Sequence, residues 1–294
     1  MMRNKFQLFL LLFVGCIDYE FHPPDPKPPG GDDTAPSIVD THDSAPPPPT
    51  DPVAVCDVTP SPIAPPWEAA TWIGENSYDP DGGLIVSYNW TLVSSPAGST
   101  VTMPTGGSNR PDFVPVLAGE YVGQLIVSNA SGDVSEPCTA ILDSIPAQNL
   151  WIEMYWEHPD DDMDLHLIAP GGTYNNLYTD CYYANCTPSM SWIYNLDWGN
   201  SGYDGDDPSL DLDDIMGAGP ENINILDPQT NGTYTVIVHD YEGSTDDVYG
   251  INNVTVNIYL NGSLTWTDTR PIAGDNTVNE FAEIEWATGT VTSL

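Results

Sequence analysis

The sequence predicts an all-β fold of two tandem β-sandwiches. Gly (25), Pro (29), Tyr (15) and Trp (9) are plentiful, and no long stretch repeats apolar residues at helical spacing. Short runs of alternating apolar residues are separated by turn residues, as at Asp79-Pro-Asp-Gly-Gly83. The 294 residues leave room for about two domains once the segments that do not fold are subtracted.

Residues 1–16 have the features of a signal peptide. Two basic residues precede the apolar run 6–14, which is too short for a permanent membrane span. The run leads into Phe13-Val-Gly-Cys16, which resembles the lipobox, where the cysteine receives diacylglycerol. An ordinary secretory signal with a chance cysteine is the alternative. Because Ile17 rather than aspartate follows Cys16, the resemblance implies a lipid anchor in the outer membrane of the cell envelope.

Residues 17–52 are predicted to form a disordered tether. The segment is crowded with proline and aspartate, which cannot fill the interior of a helix or a sheet. At about 3.1 Å per residue, it could reach on the order of 100 Å when stretched. We therefore expect it to hold the folded part away from the membrane.

The excess of acidic residues disfavours anionic molecules as partners of the folded part. Asp and Glu number 43 against 5 Lys and Arg, a formal net charge of -38. Such a surface repels nucleic acid and anionic lipid headgroups, so neither is expected to bind the folded part directly. The carboxylates must be solvated, protonated or bound to metal, and Ca²⁺ is the ion that dense oxygen ligands favour.

The cysteines predict two disulfides. With Cys16 assigned to the lipid, four remain, and an exported chain folds in an oxidising compartment. Cys56 and Cys138 bracket one domain-sized segment, and Cys181 and Cys186 close a short loop. A zinc site is disfavoured because no CxxC pair exists and the histidines are scattered.

Residues 53–144 carry motifs of a known family. Asn76-Ser-Tyr-Asp-Pro-Asp-Gly-Gly83 precedes Tyr88-Asn-Trp90, and Ala118-Gly-Glu-Tyr121 precedes Leu125-Ile-Val-Ser-Asn129. In order and spacing the segment resembles the polycystic-kidney-disease (PKD) domain. The resemblance implies an immunoglobulin-like sandwich with Trp90 in the core, and a role as a spacer or adhesion module of surface proteins. Asp79 and Asp81 are interpreted as turn-forming residues in preference to a cation site.

Residues 148–294 are predicted to form a jelly-roll-like sandwich with long acidic loops on one side. Strand-like runs cover 150–156, 165–168, 234–239, 254–260 and 281–286. Asp162 and Asp164 would share one face of a strand, because side-chain direction repeats every two residues. The candidate Ca²⁺ ligands are Asp162, Asp164, Asp197, Asp206, Asp207, Asp211, Asp213, Asp214, Glu221 and Asn222. A merely solvated acidic face is the alternative.

This second segment also resembles an uncharacterised bacterial domain family at the C-terminus of surface lipoproteins. The resemblance is carried by Asp162-Met-Asp-Leu-His166, the Cys181–Cys186 loop, Asp197-Trp-Gly199, Asp207-Pro-Ser-Leu-Asp211 with Asp213-Asp214, and Gly219-Pro-Glu-Asn-Ile223. The family has no established activity, so the resemblance implies architecture alone.

Catalysis is not expected. No serine has the G-x-S-x-G context of a hydrolase nucleophile, and among so many acids some glycosidase-like pair is inevitable. His166 is interpreted as a packed or surface residue. Tyr and Trp residues near the acidic loops could form a binding platform for a glycan or a peptide, or could fill the core.

Together these features predict a non-catalytic binding or adhesion lipoprotein of the cell surface, with a protein or glycan ligand and Ca²⁺-stabilised loops. A structural or assembly subunit of an envelope complex, with a solvated acidic surface, is the alternative. A small polysaccharide or peptide hydrolase is the least favoured interpretation.

Overall fold

The computed structural model describes residues 50–159, 161–190, 196–241, 250–274 and 276–294. The predicted signal peptide, Cys16 and almost all of the predicted tether lie outside these residues. The residues Pro48–Leu294 form one compact unit. Strands dominate its described residues, which also contain a short 3-10 helix at Asp204–Asp206, so the all-β prediction is confirmed. No helix in the described part of the chain is long and apolar enough to cross a membrane.

The N-terminal sandwich is built from two three-stranded antiparallel sheets, in the orders β1-β2-β4 and β3-β5-β6. Its strands are β1 (Asp57–Thr59), β2 (Ala70–Ile73), β3 (Ile85–Ser94), β4 (Asp112–Phe113), β5 (Gly119–Asn129) and β6 (Cys138–Ser144). Alternate residues of β5 are buried, as the period of a half-covered strand requires. Trp72 and Trp90 pack at a ring distance of 5.8 Å in its core, so Trp90 is a core residue as expected.

The C-terminal sandwich is built from two five-stranded antiparallel sheets, β10-β11-β7-β13-β14 and β16-β15-β12-β8-β9. Its strands are β7 (Leu150–Trp156), β8 (Met163–Ile168), β9 (Asp180–Cys181), β10 (Ser209–Leu212), β11 (Glu221–Ile225), β12 (Thr233–Asp240), β13 (Asn252–Leu260), β14 (Ser263–Ile272), β15 (Val278–Glu285) and β16 (Thr290–Ser293). Alternate apolar residues from both sheets, such as Ile152, Leu165 and Val236, fill one common core.

Both predicted disulfides are present. Cys56, just before β1, is bonded to Cys138, the first residue of β6, with a Cα–Cα distance of 5.9 Å. Cys181 is bonded to Cys186 at 5.1 Å. The first bond therefore ties the two sheets of the N-terminal sandwich together, and the second closes the short loop after β9.

A buried carboxylate joins the two sandwiches. Glu153 on β7 is fully buried, and its Oε1 accepts hydrogen bonds from the Ala118 amide at 2.6 Å and from the Trp151 indole at 2.9 Å. Ala118, Trp151 and Tyr259 form a small apolar cluster beside it. Burial raises the pKa of Glu153 from its usual 4.5 to about 7.

This junction predicts a pH dependence of stability. Between about pH 4.5 and pH 7 the folded chain holds a proton on Glu153 that the unfolded chain releases, so the free energy of unfolding should fall as the pH rises through that window. With Glu153→Gln, the free energy of unfolding should decrease less between pH 5 and pH 7. Urea unfolding in EDTA at pH 5, 6 and 7 measures this dependence. Glu136→Gln, at an exposed position, is the control and should leave the slope unchanged. An identical slope in the Glu153 and Glu136 variants would contradict the prediction.

Candidate functional site

Six polar side chains meet at one end of the C-terminal sandwich, where β8 and β11 begin and β12 ends. We call this set the Asp164 cluster; it comprises Asp162, Asp164, His166, Asp213, Glu221 and His239. Asp164 and His166 are two residues apart on β8, so both point away from the core that Leu165 enters. His239 on β12 is the register partner of Asp164.

The acidic half of the cluster is made by three carboxylates. Asp164, Asp213 and Glu221 each present an oxygen, and these oxygens lie within 4.8 Å of one another. Glu221 is fully buried, and its Oε2 accepts a hydrogen bond from the Leu165 amide at 2.8 Å. Glu221 thereby reaches from β11 in one sheet to β8 in the other.

Burial and mutual repulsion disfavour ionisation of these carboxyls. Burial, followed by the charge of Asp164, raises the pKa of Asp162 to about 7 and raises the pKa of Glu221 well above its usual value. The same two causes raise the pKa of Asp213. Among the residues that the structure describes, one oxygen of Asp162, Oδ1, is buried without a hydrogen-bond partner. A cation at this place would reduce the repulsion between the carboxylates and would give the Asp162 Oδ1 atom a partner.

The histidine half of the cluster lies on the other side of Asp164. The His166 ring is buried and stacks on Tyr182 at 4.9 Å, and its Nδ1 lies 3.0 Å from both carboxylate oxygens of Asp180. His239 Nδ1 lies 3.3 Å from Asp164 Oδ2. The hydrogen bond to Asp164 raises the pKa of His239, against the effect of burial.

A cavity of about 210 Å³ opens beside the cluster. Its lining combines three carboxylates with two aromatic rings and one exposed apolar side chain: Asp162, Asp164, Asp213, Tyr183, Tyr241 and Ile215. The two tyrosine rings meet edge to face at 5.7 Å. The cluster is therefore open to solvent and to a ligand on this side.

Three further predicted ligands are not among the residues of the Asp164 cluster. Asp214 accepts hydrogen bonds from the amides of Gly217 and Gly219, both at 2.9 Å, and so shapes the turn before β11. Asp211 accepts hydrogen bonds from the Ser209 hydroxyl and the Asn224 side-chain amide. Asn222 follows Glu221 on β11, so its side chain points to the opposite face of the sheet, where its register partner is Glu153.

The last three predicted ligands form a separate loop. Asp207 accepts a hydrogen bond from the Trp198 amide at 2.6 Å, Asp206 accepts one from the Asn200 amide at 2.7 Å, and Asp197 accepts one from the Gly202 amide at 2.8 Å. These carboxylates organise the loop backbone. The structure does not bring them into the Asp164 cluster.

This loop borders a second and larger cleft, with a volume of about 480 Å³. Amide and carboxylate side chains, together with a tyrosine and a tryptophan, line it: Asn149, Asn200, Asn231, Gln229, Asp206, Asp227, Tyr203 and Trp286. Tyr203 is about half exposed, at 46%, and its hydroxyl is hydrogen-bonded to Asp227. We call this feature the polar cleft.

No protein-family model matches the chain, and no curated protein is found to be similar to it. Among solved structures, a PKD domain matches with 21% identity and a TM-score of 0.25, covering 30% of this chain and 83% of that chain. A carbohydrate-binding module of the β-sandwich superfamily matches with 11% identity and a TM-score of 0.29, covering 80% of this chain and 84% of that chain. At these TM-scores neither likeness carries an argument, and the fold class rests on the strands of this chain itself.

Proposed function

We propose that the protein is a non-catalytic binding module whose C-terminal sandwich is stabilised by Ca²⁺ at the Asp164 cluster. One observation carries the proposal: Asp164, Asp213 and Glu221 place carboxylate oxygens within 4.8 Å of one another. Carboxylate oxygens are the preferred ligands of Ca²⁺. Asp162 adds a fourth carboxylate beside them, and its buried Oδ1 has no hydrogen-bond partner among the residues that the structure describes.

The scarcity of basic residues supports a metal ion as the neutralising charge. From residue 50 onward the sequence contains only Arg110 and Arg270 as Lys or Arg. Arg110 is paired with Glu75, and Arg270 is paired with Asp268 and stacked over Phe281. Neither arginine is placed to neutralise the Asp164 cluster, which leaves protons, His239 or a bound cation for that role.

The ligand of the module is proposed to be a saccharide bound in the polar cleft. Asparagine and glutamine amides both donate and accept hydrogen bonds, and carboxylates accept them, which matches the mixed donors and acceptors of sugar hydroxyls. The exposed ring of Tyr203 offers a face on which a sugar can stack. A lipid anchor at Cys16 would hold this cleft close to the membrane to which it is attached, on its periplasmic or its cell-surface side. The alternative is a structural subunit without a ligand of its own, and it predicts that the polar cleft binds no saccharide.

A saccharide panel tests the ligand. The full chain, with Ca²⁺ present, should retain at least one immobilised neutral oligosaccharide, and Tyr203→Ala should weaken retention by about tenfold because stacking and one polar contact are lost. Tyr178→Ala removes a more exposed tyrosine (72%) that does not line the cleft, and serves as the matched control. Equal retention by both variants would contradict the assignment of the cleft, and no retention of any saccharide would favour the structural-subunit alternative.

A further inference from the structure

The two histidines of the Asp164 cluster bring nitrogen ligand atoms, which its acidic half lacks. Asp164, His166 and His239 are all buried, and one ligand atom of each lies within 4.8 Å of the others. The pair Asp164 Oδ2 and His239 Nδ1 is 3.3 Å apart. Ligand atoms around one tetrahedral ion with bonds of about 2.0–2.1 Å are separated by roughly 3.3 Å, so this pair already has the spacing of two ligands of one ion.

His166 presents a buried nitrogen that has no hydrogen-bond partner within the described parts of the chain. Its Nδ1 is 3.0 Å from both oxygens of Asp180, so Nδ1–H is the donor of this contact, and the neutral form of the ring has its lone pair on Nε2. Among the described residues Nε2 has no hydrogen-bond partner, although the ring is only 2% exposed. A carboxylate behind the imidazole is the usual arrangement around a metal-ligating histidine, because it orients the ring and makes the other nitrogen more basic.

His239 has a matching arrangement. Its Nε2 lies 3.0 Å from the side-chain oxygen of Asn276, to which it can donate its proton. The Nδ1 lone pair then faces the Asp164 carboxylate, another electron-rich atom. Two such atoms repel each other unless a proton or a metal ion lies between them.

We infer that Asp164, His166 and His239 hold a divalent transition-metal ion of the Zn²⁺ class. Imidazole nitrogens suit Zn²⁺ and its first-row neighbours, whereas Ca²⁺ takes oxygen ligands. Three protein ligands leave at least one position for water or a ligand from the adjoining cavity. Asp180 and Asn276 position the two imidazoles. This site goes beyond the proposed Ca²⁺-dependent function, and it shares only Asp164 with the acidic half of the cluster.

Co²⁺ added to the metal-free full chain is the probe, because its visible absorption reports nitrogen ligands. The wild type should take up one equivalent with ligand-field bands that His166→Ala and His239→Ala abolish. Asp180→Asn should retain the bands and weaken Co²⁺ binding about 10- to 100-fold. His158→Ala, outside the cluster, is the control for histidine loss. Unchanged bands in both His166→Ala and His239→Ala would overturn the inference.

A second readout needs no variant and covers the case in which a substitution prevents folding. Zn²⁺ should shift the ¹⁵N resonances of His166 Nε2 and His239 Nδ1 in the wild-type chain, and unmoved resonances would overturn the site. Asp213→Ala separates this inference from the proposed function, because it should weaken Ca²⁺ binding and leave the Co²⁺ bands intact. Loss of the Co²⁺ bands in Asp213→Ala would contradict a site made by the two histidines and Asp164.

Discussion

Replacing Cys56 and Cys138 together by alanine is expected to lower the free energy of unfolding by about 4–5 kcal/mol. The two cysteines are separated by 82 residues, so their bond removes a large closed loop from the conformations open to the unfolded chain. The bond also holds β6 of one sheet to the segment that enters β1 of the other. Its loss therefore falls on the whole N-terminal sandwich.

The second disulfide provides the comparison within the same molecule. Cys181 and Cys186 are separated by 5 residues, and a loop of that length should contribute only about 2 kcal/mol by the same loop entropy. Urea unfolding of the two double-alanine variants, each with the other disulfide intact, measures the difference. A larger loss from the short loop than from the long one would contradict the loop-entropy explanation.

The effect of Asp164→Asn is expected to reverse its sign when Ca²⁺ is added. Without metal, the substitution removes a charge that raises the pKa values of Asp162, Asp213 and Glu221, so the variant should be more stable than the wild type in EDTA. With Ca²⁺ at 10 to 100 times its dissociation constant, the wild type should gain about 1.4 to 2.7 kcal/mol. The variant lacks the ligand shared by both halves of the cluster and should gain almost nothing.

Asp197→Asn is the matched control for this reversal. Asp197 is an exposed aspartate whose hydrogen bonds stay within its own loop. Its substitution changes the net charge by the same amount, and the gain from Ca²⁺ should remain. A variant at position 164 that is less stable than the wild type in EDTA, or that gains as much from Ca²⁺, would show that the carboxylates do not act as one site.

The sequence predicts local features of this protein better than pairings between distant segments. Alternating apolar residues identify β7 with the bounds that the structure has, Leu150–Trp156, and the positions of the cysteines predict both disulfides. The predicted runs omit β9, β10, β11, β14 and β16. The sequence of β11, Glu221-Asn-Ile-Asn-Ile225, falls among the predicted acidic loops. In a strand, the side chains of Glu221 and Asn222 point to opposite faces of the sheet, so the two residues cannot both belong to one ligand set.

The histidine half of the Asp164 cluster could not be predicted in this way. His166 and His239 lie far apart in the chain, and their positions in the sequence do not indicate a shared site. They meet because β8 and β12 are neighbours in register, with Asp164 opposite His239. Strand order and register follow from how the whole sandwich packs, and no local pattern encodes them. Asp180 is brought to His166 in the same way, through the pairing of β8 with β9.

Thermal unfolding of the full chain, with its disulfides intact, in EDTA, in millimolar Ca²⁺ and in Mg²⁺ at equal ionic strength tests the central claim most directly. A site with the affinity of extracellular modules, with a Kd of about 10⁻⁴ to 10⁻³ M, should raise the midpoint with Ca²⁺ in proportion to its saturation. Mg²⁺ should raise the midpoint of thermal unfolding much less than Ca²⁺ does, because it needs a stricter octahedral set of ligands. An equal rise with both ions, or none with either, would mean that the carboxylates form a solvated surface and would contradict the proposed Ca²⁺ site.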